Sequence, residues 1–218
     1  MRVFACCLAV ASAVAACSSA PSPRPTAISS APAPSAGVDP GRVDRVRADL
    51  PTDYEFTPLP ARAEPIALWG LGAQWAADPP PCAGLGAPAG GAPVRGWSAS
   101  GPGGIVYAVV ADAAAVLDQA LVDACGTWRV SAGHTSGAVG VVPAPTVDGA
   151  ATLGLSADVT TTVEGGTETH SDAETFVAYL AQHVAYVTVV TDPGSSAAPL
   201  APGFASDLLV KTVAAVRG

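Results

Sequence analysis

Runs of apolar and polar positions divide the chain into a series of short elements. Arg42 to Leu50 reads as a short helix that ends at Pro51, and Asp53 to Leu59 alternates like a strand. Pro65 to Ala77 reads as a helix despite Gly70 and Gly72, with Trp69 and Trp75 covering a core, and Asp78 to Cys82 reads as an extended loop ahead of its prolines. Gly96 to Ala99 and Ile105 to Ala111 are strands around a Gly101 to Gly104 turn. Asp112 is the expected cap of a helix over Ala113 to Cys125, in which Val116, Leu117, Ala120, Leu121 and Ala124 make an apolar stripe and Gly126 is the stop. Further strands follow at Trp128 to Ala132, Val139 to Val142, Thr152 to Val163, Thr175 to Ala181 and Ala185 to Thr191. The turn Asp192-Pro193-Gly194 and a proline-rich link lead to a last helix from about Gly203, with Phe204, Leu208, Thr212 and Val216 on one face. Consecutive strands joined by short turns, flanked by helices, predict an α+β fold: an antiparallel sheet with helices packed on it, a single domain and no internal repeat.

The first forty residues do not fit that pattern. Arg2 precedes an apolar run from Val3 to Ala16, too short to span a bilayer as a stable helix, which reads as a secretory signal over residues 1–16. Val14-Ala15-Ala16-Cys17 resembles the bacterial lipobox, in which the Cys becomes the acylated first residue of the mature protein. Cys17 is therefore the expected lipidation site, the alternative being an ordinary signal cleaved near Ala16. Two acyl chains, at about 0.8 kcal/mol per buried CH₂, give stable attachment. Residues 17–40 are the lipidated Cys and a Ser/Ala/Pro tether with almost no bulky apolar group to offset ordering entropy. Residues 41–218 are then the extracellular domain, lipid-anchored at the outer face of the cytoplasmic membrane.

Composition narrows the function. Of 218 residues, 13% are charged and the formal net charge is −8. No Lys or Arg lies between Arg129 and Lys211, a stretch that carries eight acids. Nucleic acid is excluded as a partner, since phosphate binding needs clustered cations. Lys211, the single lysine, is read as part of a surface stripe of the last helix. Of five cysteines, Cys6 and Cys7 leave with the signal and Cys17 takes the lipid, so Cys82 and Cys125 are expected to pair as a disulfide. A catalytic thiol would instead need a nearby base and a reducing compartment. A two-Cys metal site would need further ligands at close spacing.

Candidate chemistry is sparse. Gly133-His134-Thr135-Ser136-Gly137 suggests a serine hydrolase only superficially: Ser136 is one place late for a nucleophile elbow, and a loop between strands is the expected context. Glu168, His170, Asp172 and Glu174 recur at every second position, so an extended segment puts all four on one face. Four ligands in a line do not surround an ion, and the solvent face of an edge strand is the expected reading. His183 is expected exposed in a turn. Gly101-Pro102-Gly103-Gly104 lacks the Lys and following helix of a phosphate loop. No catalytic, metal or cofactor site is assigned, and the chain is read as a non-enzyme.

At Ala77-Asp78-Pro79-Pro80-Pro81-Cys82, at Cys125 with Trp128, and at the closing Phe204 to Val213, the sequence resembles mycobacterial envelope lipoproteins of unassigned function. It is more distantly similar to the extracellular sensor domain of PknH-type kinases. The resemblance implies an antiparallel sheet flanked by helices, disulfides, and an apolar cleft for a ligand. The sensor family carries two disulfides, whereas this chain has cysteines for one. The expected function is a non-catalytic, sensor-like or ligand-binding lipoprotein. Its expected partners are the membrane and either a small apolar ligand or another envelope protein. The alternative is a docking lipoprotein with no pocket.

Overall fold

The structure is a computed structural model and describes residues 37–72, 74–191 and 195–218. The signal, Cys17 and the turn at Asp192 to Gly194 lie outside the described residues. Nine strands form one sheet: β1 (Glu55–Pro58), β2 (Ala76–Asp78), β3 (Val94–Gly101), β4 (Gly104–Ala111), β5 (Thr127–Ala132), β6 (Thr135–Val142), β7 (Ala151–Thr162), β8 (Glu168–Leu180) and β9 (His183–Val190). Their order is β1-β3-β4-β9-β8-β7-β6-β5-β2, and every pairing is antiparallel. The helices are α1 (Ala83–Gly86), α2 (Gln119–Ala124) and α3 (Phe204–Arg217), joined by 3-10 segments at Pro40–Asp49 and Pro80–Cys82. The expected α+β architecture is what the chain adopts.

The centre of the sheet is covered on both faces, and this is why β4 and β9 read as almost unbroken apolar runs rather than alternating ones. On one face, Val106, Ala108 and Val110 of β4, Ala185, Val187 and Val189 of β9 and Phe176, Ala178 and Leu180 of β8 pack under α3 and the Pro40–Asp49 helix. Leu208, Leu209, Val213 and Val216 supply the buried stripe of α3. Val43 and Val46, three apart as a 3-10 turn requires, supply that of the N-terminal helix. The Trp97 indole N–H donates to the Val43 carbonyl at 3.1 Å and fixes that helix to the sheet.

On the opposite face, Val109, Val177, Tyr179, Val184 and Tyr186 pack under loops that carry Ile66, Trp69, Leu71 and Leu85. Two polar contacts hold this cover. The Trp69 indole donates to Thr175 Oγ1 at 2.9 Å, and Thr175 shares a 2.8 Å hydroxyl bond with the equally buried Thr188. The Tyr186 hydroxyl donates to the Ala63 carbonyl at 2.8 Å, and burial pushes its pKa far up, so it stays a neutral donor. Cys82 and Cys125 form a disulfide that closes the same cover, with Cα atoms 5.7 Å apart and both residues buried.

Two helical expectations fail for local reasons. The predicted helix from Pro65 to Ala77 collapses to a five-residue π-type segment at Ala67–Leu71, because Gly70 takes φ 94° and Gly72 φ 72°, after which the chain forms β2. The predicted helix from Ala113 to Cys125 survives only as α2. Its cap is Asp118, whose carboxylate accepts the Leu121 N–H at 3.2 Å, not Asp112. Ahead of that cap, Ala113, Ala115 and Leu117 turn inward at every second position and leave Val116 89% exposed. The sequence fits a period of two there as well as a helical stripe, and the Asp112 N–H bond to the Pro93 carbonyl holds the extended form.

The 43-residue separation of the two half-cystines makes the disulfide a large constraint on the unfolded chain, worth about 4 kcal/mol in the loop-entropy account. Replacing both cysteines with serine is expected to lower the free energy of unfolding by about that amount. Urea denaturation of the two proteins measures it, and matching midpoints would show that the bridge does not stabilise the fold.

Candidate functional site

The face that carries α3 is covered over only part of its width. From Ser156 of β7 outward to β2 the same face is open, and alternation returns. In β7, Leu153, Leu155, Ala157 and Val159 are buried below, while Ser156, Asp158 and Thr160 point to the open side. Registration of the strands then sets the open side chains in rows. One row runs Asp78, Arg129, Ala138, Asp158, Asp172 across β2, β5, β6, β7 and β8. Beside it lies a row of hydroxyls, Ser131, Ser136 and Thr160, which ends at His170. On the other side, Thr127, Gly140, Ser156 and Glu174 form a third row.

Small residues in the middle of these rows leave a trough. A cavity of about 460 Å³ is bounded by Asp78, Arg129, Ser131, Ser136, Asp158 and Thr160. It adjoins one of about 610 Å³ that shares Asp78, Arg129, Ala138 and Asp158. A third, about 390 Å³, continues from Asp158 past Asp172 and Glu174 to a wall formed by 199–202 and the start of α3.

The electrostatics of the row are uneven. Ion pairs among the described residues join Arg42 to Asp39, Arg47 to Asp44 and Lys211 to Asp49, with a longer His183–Asp112 contact, and Arg129 is in none of them. Its guanidinium is exposed and has no hydrogen-bond partner among the described residues, although Asp78 faces it on the next strand. Further along, Asp158 and Asp172 stand directly opposite one another. A hydrogen bond between the two carboxyls raises the pKa of Asp172, desolvation and the Asp158 charge add to the rise, and His170 opposes it. Asp172 therefore holds its proton more firmly than an isolated carboxyl does.

The residues singled out in the sequence are dispersed. His134 sits in the turn between β5 and β6, whereas Ser136 belongs to β6 and faces the trough, which corrects the expected loop; no hydrogen bond joins them among the described residues. Glu168, His170, Asp172 and Glu174 do share one face, but β8 is an interior strand. Only Glu168 to Asp172 extend beyond its ladder with β9, so the edge-strand reading applies to that end alone. His170 Nδ1 lies 3.0 Å from Thr160 Oγ1. His183 opens β9 with its side chain only 17% exposed, 3.9 Å from Asp112, rather than free in a turn. Lys211 lies on the exposed side of α3, 2.7 Å from Asp49. Arg129 and Asp158 were missed as site residues because their neighbourhood is built by pairing across strands; the one sequence signal was the isolation of Arg129 among acids.

The sequence model of DUF5642, a domain of unknown function, matches residues 39–217. No curated protein matches the chain. Among solved structures, the chain is similar to an uncharacterized protein (Rv0999 ortholog) from Mycobacterium smegmatis. That match has 20% identity and a TM-score of 0.58, covering 83% of this chain and 98% of the other. It is also similar to the extracellular domain of PknH from Mycobacterium tuberculosis at 12% identity and a TM-score of 0.46, covering 83% of this chain and 92% of that one. The first likeness is one of fold.

The raised pKa of Asp172 carries a sign. It means that the folded chain binds more protons than the unfolded one, so Asp172 adds stability at low pH and loses it as pH rises from the ordinary aspartate value through the folded one. Asp158→Asn is expected to flatten that fall. Melting temperatures recorded across the acid range for both proteins test it; parallel curves would show that Asp158 does not raise the pKa of Asp172.

Proposed function

We propose that this chain, which belongs to the DUF5642 family, is a non-catalytic, lipid-anchored binding module of the cell envelope that takes a polar ligand on the bare part of its sheet. The observation that carries the reading is the trough itself: a polar floor with opposed carboxyls and an Arg129 that has no partner among the described residues, backed by a buried core. Ligand sites are concave surfaces with a few placed polar groups on a rigid support, and this floor has that form. The lipobox at Cys17, the tether and the disulfide support an exported, membrane-attached setting, with residues 41–218 as the displayed domain. A sensor-like role fits the same arrangement.

The floor is polar, so the ligand inferred here is polar, in place of the small apolar one expected from the family resemblance. A second reading, docking of another envelope protein over the same face, is favoured by the continuity of the three cavities, which share Asp158 and open along one side of the sheet.

Two measurements test the proposal. Ala138 lies in the middle of the trough and is exposed, so Ala138→Phe is expected to fill it without disturbing the core. Native mass spectrometry of the protein from a related host should show a bound molecule that the variant lacks; an equally loaded variant would place the ligand elsewhere. Cys17→Ala is expected to move the protein from the detergent phase to the aqueous phase, and retention in detergent would overturn the lipid anchor.

A further inference from the structure

We propose that the trough binds a short zwitterionic peptide, its carboxylate on Arg129 and its ammonium on Asp158 and Asp172. This rests on the reading of the bare sheet as a ligand site and specifies its chemistry. The charged row reads negative, positive, neutral, negative, negative from Asp78 to Asp172. A simple cation uses only the Asp158–Asp172 end and leaves Arg129 unanswered. A multivalent anion meets Asp78 and Asp158 on either side of that arginine and a chain of net charge −8. A ligand with one charge of each sign satisfies both ends.

Spacing sets the length. Arg129 and Asp158 are two strands apart, with Ala138 between, so their backbones are separated by about 10 Å. An extended chain covers roughly 3.3–3.6 Å per residue, so the charged ends of a tripeptide lie about as far apart. Such a peptide crosses the strands along the row. Ala138 is low enough to let its backbone pass, and the hydroxyls of Ser136 and Thr160 lie alongside to meet its amides. Arg129 has no partner among the described residues to give up, and its planar fork suits a carboxylate. At the other end, the ammonium lies between the opposed carboxyls of Asp158 and Asp172.

The test is isothermal titration calorimetry of the full chain with trialanine, N-acetyltrialanine and trialanine amide. Free trialanine is expected to bind, and masking either end to weaken it by about tenfold or more, the usual loss of a charge-assisted hydrogen bond. Arg129→Gln should bind trialanine and its amide equally, while still discriminating against the acetylated peptide. Asp158→Asn, which leaves Asp172 in place, should discriminate less against the acetylated peptide. Both side chains are exposed, and thermal melts confirm that the variants fold. No binding of trialanine at millimolar concentration, or equal binding of free and masked peptides, overturns the proposal. If trialanine fails while Ala138→Phe still strips a co-purified molecule, the ligand site stands and only its zwitterionic specificity falls. If Ala138→Phe strips nothing, the site itself is wrong.

Discussion

The width of the sheet against the width of its cover governs this structure. Strands lie about 4.8 Å apart and a helix is about 10 Å across, so one helix shields roughly two strands. α3 packs over β8 and β9, and the Pro40–Asp49 helix lies beside it over β3 and β4. Among the described residues no further helix is seated on that side, and the strands beyond have to present polar groups to water. The alternation of β7, the small residues of β6 and the isolated charge of β5 all follow from that shortfall. What reads as a binding floor is the part of the sheet that no helix among the described residues covers.

The other face supplies the stiffness. Trp69 and the Cys82–Cys125 bridge belong to the core under the sheet, into which β5 sends Trp128 and Val130. Arg129 is flanked in its own strand by the buried Trp128 and Val130, and Asp158 by the buried Ala157 and Val159. A floor pinned from below holds its side-chain origins in fixed register, which is the condition for selective recognition by an open surface. The burial of Glu64 belongs to the same cover: desolvation raises its pKa, while N–H donors from Ala89 and Gly91 pull it back.

Much of this fold was legible in the chain. The apolar runs of β4 and β9, the stripe of α3 and the pairing of the two remaining cysteines each depend on local pattern or simple counting. The helices assigned over Pro65–Ala77 and Ala113–Cys125 failed where local signals competed, glycine conformation in one and a second capping aspartate in the other. The site was hidden for a different reason. Arg129, Ala138, Asp158 and Asp172 are separated by 9, 20 and 14 positions, and only the ladder brings them into one line. The two-residue repeat of Glu168 to Glu174 did disclose a shared face, but not the row that crosses it.

The two edge strands are neighbours in sequence and lie at opposite ends of the sheet. β1 has four residues and β2 three, and each shields a longer strand, β3 or β5. One stretch of chain, Glu55 to Asp78, therefore guards both open ends. Detaching it would bare two complementary ladders on the same molecule at once. Copies so exposed can join end to end without closing a ring, so this one segment stands between the folded chain and a growing fibre.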